Sequence, residues 1–226
     1  MFADYCDSGS WSEQTLKENV EAFRKIYFRQ RVLRDISHRS VKKRLLGREW
    51  AMPVALAPVG LTGMQCANGE ILAARAAKTF GIPYTLSTMS ICSLEDIAEG
   101  TDGHPFWFQL YMMKDRKIAA HLITRAKKAN CSALVLTVDL QVMGERYVDA
   151  RNGLKTGNPV CLGNMWELIK RWQWGMGMLK TKRRGFGNIL GSVDTVSDPA
   201  SLIAWVSEQF DLKLNWMDIE LSLIHI

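Results

Sequence analysis

Two short apolar runs in the sequence each end in a pair of polar side chains, and this pattern constrains the fold most strongly. The run that starts at residue 104 closes on Gln109 and Tyr111, and the run that starts at residue 133 closes on Thr137 and Asp139. Short apolar runs rich in aromatic or β-branched residues, with helical patterns around them, are typical of buried parallel strands. Because parallel α/β folds bind ligands at the carboxyl ends of their strands, the two pairs predict a site there. Capping of the strand ends is the alternative.

The alternation of strand and helix patterns extends over residues 51–139. Strand patterns lie at 53–58, 82–87, 104–111 and 133–139, and they begin about every 25 residues, the size of a βα unit. Three helix patterns lie between the strands. The first covers 69–80, and the second is a short helix that begins after Ser93, which opens a capping box. The third covers 114–130 and is capped by Asp115 or a neighbour. We therefore predict an α/β chain with four parallel strands in sequence order. An open doubly wound sheet is the alternative, but no Gly-x-Gly-x-x-Gly follows the first strand.

The segments on either side of this region have different patterns. Residues 1–50 form an N-terminal extension, with a helix predicted over 12–28 and Ser12 as its N-cap. Residues 140–197 form an insert that contains glycines, tryptophans and cations but no strand pattern. Helical patterns resume in 198–226, at Asp198-Pro199 and again near Asn215. We interpret residues 1–226 as a single, partial domain.

Composition narrows the class of protein. With 47% hydrophobic and 23% charged residues, the 226-residue chain resembles ordinary soluble globular proteins. The five cysteines are scattered and form no Cys-x-x-Cys, so we predict neither a disulfide framework nor a metal site. No signal-peptide pattern opens the sequence, and the longest uncharged apolar stretch, 51–64, is too short to span a bilayer. These features predict a cytoplasmic protein.

Positive charge is concentrated in residues 151–187. This segment has eight Lys or Arg residues against the single acid Glu167, a balance of +7, whereas the whole chain has +6. It also holds Trp166, Trp172 and Trp174, and tryptophans flanked by cations suit a membrane interface. No nucleic-acid-binding motif is present. The predicted partner is an anionic membrane surface, at the cytoplasmic face of the inner membrane, with a disordered solvated loop as the alternative.

Several strings, in order, resemble the FMN-dependent L-2-hydroxy-acid dehydrogenases, most nearly the bacterial respiratory L-lactate dehydrogenases. They are Ala-Pro-Val-Gly-Leu-Thr-Gly-Met at 57–64, Thr-Leu-Ser-Thr at 85–88, Trp-Phe-Gln-Leu-Tyr at 107–111, Leu-Thr-Val-Asp at 136–139 and Gly-Glu-Arg-Tyr at 144–147. The resemblance implies a partial TIM (β/α)8 barrel with FMN as cofactor. It also implies oxidation of an L-2-hydroxy acid, with L-lactate to pyruvate as the first expectation, by hydride transfer to flavin N5. Electrons would pass to a respiratory acceptor or to oxygen, and a homo-oligomer is expected only of an intact relative.

The resemblance also implies which residues bind the cofactor. The turn after the first strand, whose backbone would lie against the flavin, consists of Pro58, Val59 and Gly60. The side chains that would hydrogen-bond the flavin ring belong to Ser87, Gln109 and Thr137.

Substrate and catalytic roles follow from the same resemblance. Tyr5 and Arg146 resemble the groups that hold the substrate carboxylate, which a guanidinium can bind through two parallel hydrogen bonds. Tyr111 resembles the phenol near the reacting end of the substrate. Asp139 resembles the carboxylate that orients the catalytic histidine.

The sequence departs from the family in one large respect. The catalytic histidine of the family lies in an Asn-His-Gly-Gly-Arg run that is absent here, as are the late phosphate-binding loops. His38, His104 and His121 match no catalytic position. The chain therefore looks truncated at its C terminus, and also short at its N terminus. We expect these 226 residues alone to be inactive; the alternative is a non-catalytic fragment or pseudoenzyme whose insert binds an anionic membrane.

Overall fold

The computed structural model describes residues 2–139, 144–152, 171–190 and 208–223. The helices are α1 (Phe2–Asp7), α2 (Gln14–Arg24), α3 (Thr62–Gln65), α4 (Gly69–Phe80), α5 (Leu94–Gly100), α6 (Arg116–Lys128), α7 (Tyr147–Arg151), α8 (Trp172–Lys180) and α9 (Trp216–Leu223). The strands are β1 (Lys43–Leu45), β2 (Arg48–Trp50), β3 (Thr85–Ser87), β4 (Phe106–Tyr111) and β5 (Cys131–Thr137). The chain divides into a first unit, 1–40 with 143–167, and a second unit, 41–142 with 168–226.

A parallel sheet in the order β3-β4-β5 lies at the centre of the second unit. One face of the sheet carries the apolar residues of the core, including Leu86, Phe108 and Leu110, which are at most 1% exposed. Helix α6 covers this face with its own buried residues, among them Leu122 and Ile123. Because strand residues alternate between faces, Ser87, Gln109 and Thr137 all lie on the opposite face. The fold thus separates an apolar, helix-covered face from a face that carries polar groups.

Three of the four predicted strands are confirmed as parallel and in sequence order. The prediction of a full first strand over 53–58 is wrong, because this segment pairs only through one parallel bridge between Leu56 and Tyr84. Its hydrogen bonds run from the Leu56 amide to the Pro83 carbonyl at 2.9 Å and from the Thr85 amide to the Leu56 carbonyl at 3.1 Å. Pro53 and Pro58 bracket the segment and have no amide hydrogen to donate, which restricts any ladder to the residues between them. Among the described residues, the sheet is open rather than closed into a barrel.

The helix predictions of the second unit hold closely. Helix α4 covers 69–80, and the capping box at Ser93 is present, with the Asp96 amide donating to Ser93 Oγ at 3.1 Å. Asp115 caps α6 by accepting a hydrogen bond from the Lys117 amide. The helix predicted near Asn215 is α9, whereas most of the one predicted from residue 198 lies outside the described residues.

The N-terminal extension and the insert differ in part from expectation. Helix α2 ends at Arg24, and its N-cap is Glu13 rather than the predicted Ser12. Glu13 has φ 60° and makes no side-chain capping bond, and the helix begins at Gln14, one residue later than a Ser12 cap would require. The predicted N-terminal extension, residues 1–50, ends in the antiparallel hairpin β1–β2. The described parts of the insert contain the helices α7 and α8.

Candidate functional site

A row of hydrogen-bonded polar side chains crosses the carboxyl ends of three adjacent strands. Ser87 Oγ donates to Gln109 Oε1 at 3.2 Å, and Gln109 Nε2 donates to Thr137 Oγ1 at 2.8 Å. Register explains the row, because Ser87 lies opposite Gln109 on β4 and Thr137 lies opposite Tyr111, two residues farther along. Ser87 and Gln109 are 3% and 2% exposed, so the row is already ordered by the protein itself. The structure therefore brings together three of the predicted cofactor residues.

Thr88 is a member of this site that the sequence analysis did not identify. Its hydroxyl donates to the backbone carbonyl of Gln109 at 2.5 Å, and its amide donates to Gln109 Oε1 at 3.2 Å. Its hydroxyl oxygen also accepts from the Tyr111 amide at 3.4 Å. Thr88 is fully buried and thus locks the end of β3 to the end of β4. Its place directly after Ser87 in the string at 85–88 is the sequence signal that could have identified it.

Asn188, in the insert, is a second residue that was missed. Its Nδ2 donates to the Ser87 carbonyl at 3.2 Å and to Ser90 Oγ at 3.0 Å, and its Oδ1 accepts from the Leu94 amide at 2.9 Å. The side chain is fully buried, so all three bonds lie away from solvent. No sequence signal marks it, because its role arises only when the insert packs against the loop that follows β3.

The turn formed by Pro58, Val59 and Gly60 lies beside the same loop. The Leu61 amide donates to the Met89 carbonyl at 3.0 Å. A Cβ on Gly60 would lie 3.4 Å from that carbonyl oxygen and 4.0 Å from Ser87 Oγ, which are ordinary contact distances. Packing among the described residues therefore does not require glycine at position 60. Pro58 and Val59 are exposed, and their side chains are not part of the core.

Tyr111 and Asp139, the predicted catalytic pair, have different surroundings. The Tyr111 ring is half-buried and packs edge-on against Phe210, with ring centroids 6.1 Å apart. Phe210 is held there by an antiparallel bridge to Met113 and by the nearby ion pair of Arg116 with Asp211, whose atoms are 2.6 Å apart. Asp139 is exposed and has no hydrogen bond or ion pair with any residue in the described part of the chain. The structure thus orders Tyr111 and leaves Asp139 at the surface.

Tyr5 and Arg146, both in the first unit, are in direct contact. The Arg146 guanidinium lies over the Tyr5 ring, with its central carbon 4.6 Å from the ring centroid. Its Nη2 donates to the carbonyl oxygens of Tyr5 and Ser8, the latter at 2.9 Å, and its Nε lies 2.6 Å from the carboxylate of Asp149. Within the ranges that the structure describes, Nη1 has no hydrogen-bond partner. The predicted carboxylate-binding pair therefore exists as a contact, and much of its donor capacity also holds residues 5–8.

The three histidines in the described ranges lack the features of a catalytic base in this row. His104 precedes β4, at the end of the strand opposite Gln109 and Tyr111. Burial, followed by the charges of Arg48 and Lys78, lowers its pKa. His121 is exposed on α6, and His38 is exposed in the first unit. That none of them has the catalytic role stays a prediction.

Helix α8 of the insert has an exposed apolar face. Trp172, Met176 and Leu179 are 64%, 46% and 70% exposed, and their spacing places them on one side of the helix. Trp174 lies on another side, where its indole donates to the Met64 carbonyl at 2.9 Å. Several predicted membrane-facing cations have partners within the protein, notably Arg183, whose Nη2 lies 2.7 Å from Asp96. None of the helices described above has both the length and the hydrophobicity of a membrane span.

Comparison with known proteins places these features in context. A sequence profile of the FMN-dependent dehydrogenase family matches residues 1–222. The L-lactate dehydrogenase of Chromohalobacter salexigens is 43% identical over 96% of this chain, and that of Xanthomonas campestris is 44% identical over 96%. The chain spans 55% and 56% of the length of these two relatives.

Solved structures of known proteins also align with this chain. The crystal structure described as the monotopic membrane protein (S)-mandelate dehydrogenase aligns over 96% of this chain with a TM-score of 0.86 and 31% identity. The same alignment covers 57% of the chain of the (S)-mandelate dehydrogenase. A single-residue variant of mandelate oxidase, solved with (S)-mandelic acid, aligns over 66% of this chain and 44% of its own, with a TM-score of 0.63 and 40% identity.

Proposed function

The chain belongs to the FMN-dependent dehydrogenase family, and we propose that it represents the part of an L-2-hydroxy-acid dehydrogenase that binds the flavin ring. The observation that carries the proposal is the row Ser87–Gln109–Thr137, buried and hydrogen-bonded across the ends of adjacent parallel strands. We propose that these strands are the first part of a (β/α)8 barrel. Their parallel pairing and sequence order support this architecture.

Gln109 and Thr137 have hydrogen-bond donors that suit the oxygen and nitrogen atoms of a flavin ring. Gln109 Nε2 has a second N–H beyond the one given to Thr137, and the Thr137 hydroxyl accepts from Gln109 and retains its own proton. Neither of these two hydrogens has an acceptor among the described residues. They can donate to ring oxygens or nitrogens, while Gly60 leaves room for a close approach of the backbone. When bound, FMN supplies a hydride acceptor for the carbon that carries the substrate hydroxyl.

The substrate roles rest on the contacts of the polar side chains. We propose that Tyr5 and Nη1 of Arg146 bind the carboxylate of the 2-hydroxy acid, with Asp149 and the Ser8 carbonyl holding the guanidinium in place. The Tyr111 phenol donates to oxygen at the reacting end of the substrate, and Phe210 restricts the rotation of its ring. Asp139 orients a histidine that these 226 residues do not supply in a catalytic position. Lactate is the proposed substrate because two L-lactate dehydrogenases are 43% and 44% identical to this chain, whereas the (S)-mandelate dehydrogenase is 31% identical.

A chimera tests this function directly. Residues 1–222 would be joined to the C-terminal part of the Chromohalobacter L-lactate dehydrogenase, and the flavin absorbance followed without oxygen. We expect L-lactate, but not D-lactate, to bleach the flavin of the chimera. The 226-residue chain alone should be slower by about 10²–10⁴-fold or more, because the proton acceptor is missing.

The controls separate the two claims. A chimera that binds FMN but is not bleached by any L-2-hydroxy acid contradicts the proposed reaction. A 226-residue chain that is bleached as fast as the chimera contradicts the proposed inactivity. Tyr111→Phe in the chimera should slow bleaching while FMN binding stays unchanged, since the ring and its packing against Phe210 are retained.

We also propose that α8 contacts an anionic membrane surface on the cytoplasmic side. Its exposed face of Trp172, Met176 and Leu179 is followed by the exposed cations Lys180 and Lys182, an arrangement that suits the boundary between lipid headgroups and acyl chains. The relative with a TM-score of 0.86 is described as a monotopic membrane protein, which supports this assignment. Trp174 is excluded from the contact because it is bonded to Met64.

Vesicle flotation tests the membrane contact. The double change Trp172→Ser and Leu179→Ser should reduce binding to anionic vesicles on the order of tenfold or more, because it removes the apolar area that would enter the lipid. Binding should also weaken with added salt. Leu72→Ser is the matched control, since Leu72 is 49% exposed on α4. Equal losses in the double variant and the control would contradict the assignment to α8.

A further inference from the structure

A buried carboxylate joins two connecting segments that carry the proposed flavin-binding residues. The first loop segment is the turn at 58–60 with the short helix α3 that follows it, and the second is the loop after β3. Glu70, the second residue of α4, is 1% exposed. Its Oε1 accepts hydrogen bonds from the Gly63 amide at 2.8 Å and from the Ile91 amide at 3.0 Å. Gly63 follows the turn at 58–60, and Ile91 lies in the loop after β3. One oxygen atom thus connects backbone groups that are 28 residues apart in the sequence.

Backbone and side-chain atoms are closely packed around this carboxylate. A Cβ on Gly63 would lie 2.6 Å from the Ile91 Cβ and 2.8 Å from Glu70 Oε2. A Cβ on Gly69 would lie 2.7 Å from the Thr62 carbonyl oxygen. All three distances are shorter than real Cβ contacts, so the two glycines permit α3 to lie close to Ile91 and to the start of α4. The hydrogen bond from Leu61 to Met89 ties the same two loops at a second point, at 3.0 Å.

We propose that Glu70 is a positioning residue that sets the turn at 58–60 and the loop after β3 against each other for flavin binding. The inference rests on the proposed function, because it assumes that these two loops meet the flavin. Glu70 itself lies beneath them and does not contact the flavin. Its effect is transmitted through the Gly63 and Ile91 amides to Gly60 and to Ser87.

The chemistry of the position favours a carboxylate. Two amide donors converge on one oxygen, and hydrogen bonds to a charged acceptor are about twice as strong as neutral ones. The start of α4 adds the positive end of a helix dipole. The negative charge also acts on its neighbours: burial, followed by the Glu70 charge, raises the pKa of the Cys92 thiol and of the Tyr84 phenol, so both groups stay protonated. Both amides donate to the same oxygen, Oε1.

Amide hydrogen exchange tests the inference without requiring FMN. Glu70→Ala should speed exchange at Gly63 and at Ile91 together, on the order of tenfold or more, because both donors lose a charged acceptor. Glu70→Gln keeps the shape and a neutral acceptor, so exchange at both amides should rise by a smaller factor. Ile71→Ala is the matched control: Ile71 is buried next to Glu70 on α4 but bonds neither loop. It should lower the melting temperature without selective exchange at the two amides.

FMN titration of the same proteins adds the functional arm. We expect the FMN dissociation constant to increase on the order of tenfold in Glu70→Ala, less in Glu70→Gln, and little in Ile71→Ala. Coupled exchange at both loops, together with no FMN binding by the unsubstituted chain, would support the link between the loops and contradict the proposed function. Exchange that rises in one loop only, rises equally in Ile71→Ala, or stays unchanged in Glu70→Gln would overturn the role of Glu70. FMN binding that is equally tight in all variants would also overturn it.

Discussion

Strands β4 and β5 lie side by side and end in similar polar pairs, yet only β4 is enclosed. Phe106, Phe108, Gln109 and Leu110 of β4 are all at most 2% exposed. No residue of β5 is buried, and Ser132 is exposed. The difference arises because β4 pairs with β3 on one side and β5 on the other, whereas β5 pairs with β4 alone in the described sheet.

The polar pairs differ in the same way as their strands. Gln109 is bonded through its side chain to Ser87, Thr88 and Thr137. The Thr137 hydroxyl accepts one hydrogen bond, from Gln109, among the described residues. Asp139, two residues farther along the chain, is exposed. Two similar sequence patterns therefore produce one preorganised half of a site and one half whose order depends on its neighbour. Strand neighbours on both sides, more than the local sequence, determine how rigidly a functional side chain is held.

The largest expected effect compares two leucines that face each other across the strands. Leu110 and Leu136 are register partners, but Leu110 is 1% exposed and Leu136 is only half-buried. Leu110→Ala should lower the free energy of unfolding by about 2–5 kcal/mol through lost burial and a residual cavity. Leu136→Ala should cost less than half as much, since its site is already partly hydrated. Urea unfolding curves of both variants check this, and equal losses would show that β5 is as enclosed as β4.

A smaller effect compares two threonines. Thr88→Val removes a buried hydroxyl that donates to the Gln109 carbonyl, and should cost about 1–3 kcal/mol because the Tyr111 amide and that carbonyl lose a bonding group. Thr137→Val removes the half-buried acceptor of Gln109 Nε2 and should cost about 1 kcal/mol or less. The two substitutions are matched in shape, so thermal unfolding compares their environments. A larger loss for Thr137→Val would reverse the comparison.

The smallest effect is a pH dependence in the helices behind the sheet. A hydrogen bond from Arg125 lowers the pKa of Glu95 from 4.5 to about 2. Because the folded pKa is lowered, the pair contributes stability above about pH 4.5 and loses it as the pH falls towards 2. Glu95 is 57% exposed, so solvent screening keeps the contribution small. Thermal unfolding between pH 6 and pH 2 should show wild type falling towards Glu95→Gln. A constant gap across this range would contradict the assignment.

Features set by local sequence were predicted better than features set by distant contacts. Three strands, the capping box at Ser93, the N-cap at Asp115, and the adjacency of Gln109 with Thr137 all follow from local patterns. The incorrect prediction of a first strand over 53–58 also has a local cause. The prolines at both ends of this segment have no amide donors, but its apolar residues still match a strand pattern. These successes share one property: the residues that determine each feature are neighbours in sequence or in register.

Other parts of the site could not have been predicted from local patterns. Asn188 acquires its role by packing against the start of α5, where the amide of Leu94, 94 residues earlier, donates to its side chain. Glu70 looks like an ordinary acidic residue in the first turn of a helix, and only the fold shows that it accepts from two loops. Arg146 was expected to face a substrate carboxylate, yet its Nη2 already binds the Ser8 carbonyl. Each case depends on contacts distant in sequence, which no pattern in one sequence specifies.

The central claim is that Gln109 is the centre of a preorganised flavin-binding row, and FMN titration of Gln109→Leu tests it most directly. Titration would follow the quenching of flavin fluorescence by the wild-type chain, Gln109→Leu and Leu136→Ala, the last as a control on the neighbouring strand for lost stability. We predict saturable binding by the wild type, a dissociation constant raised on the order of tenfold or more in Gln109→Leu, and little change in Leu136→Ala. Equal FMN affinity of Gln109→Leu and the wild type, or no binding by the wild type, would contradict the account.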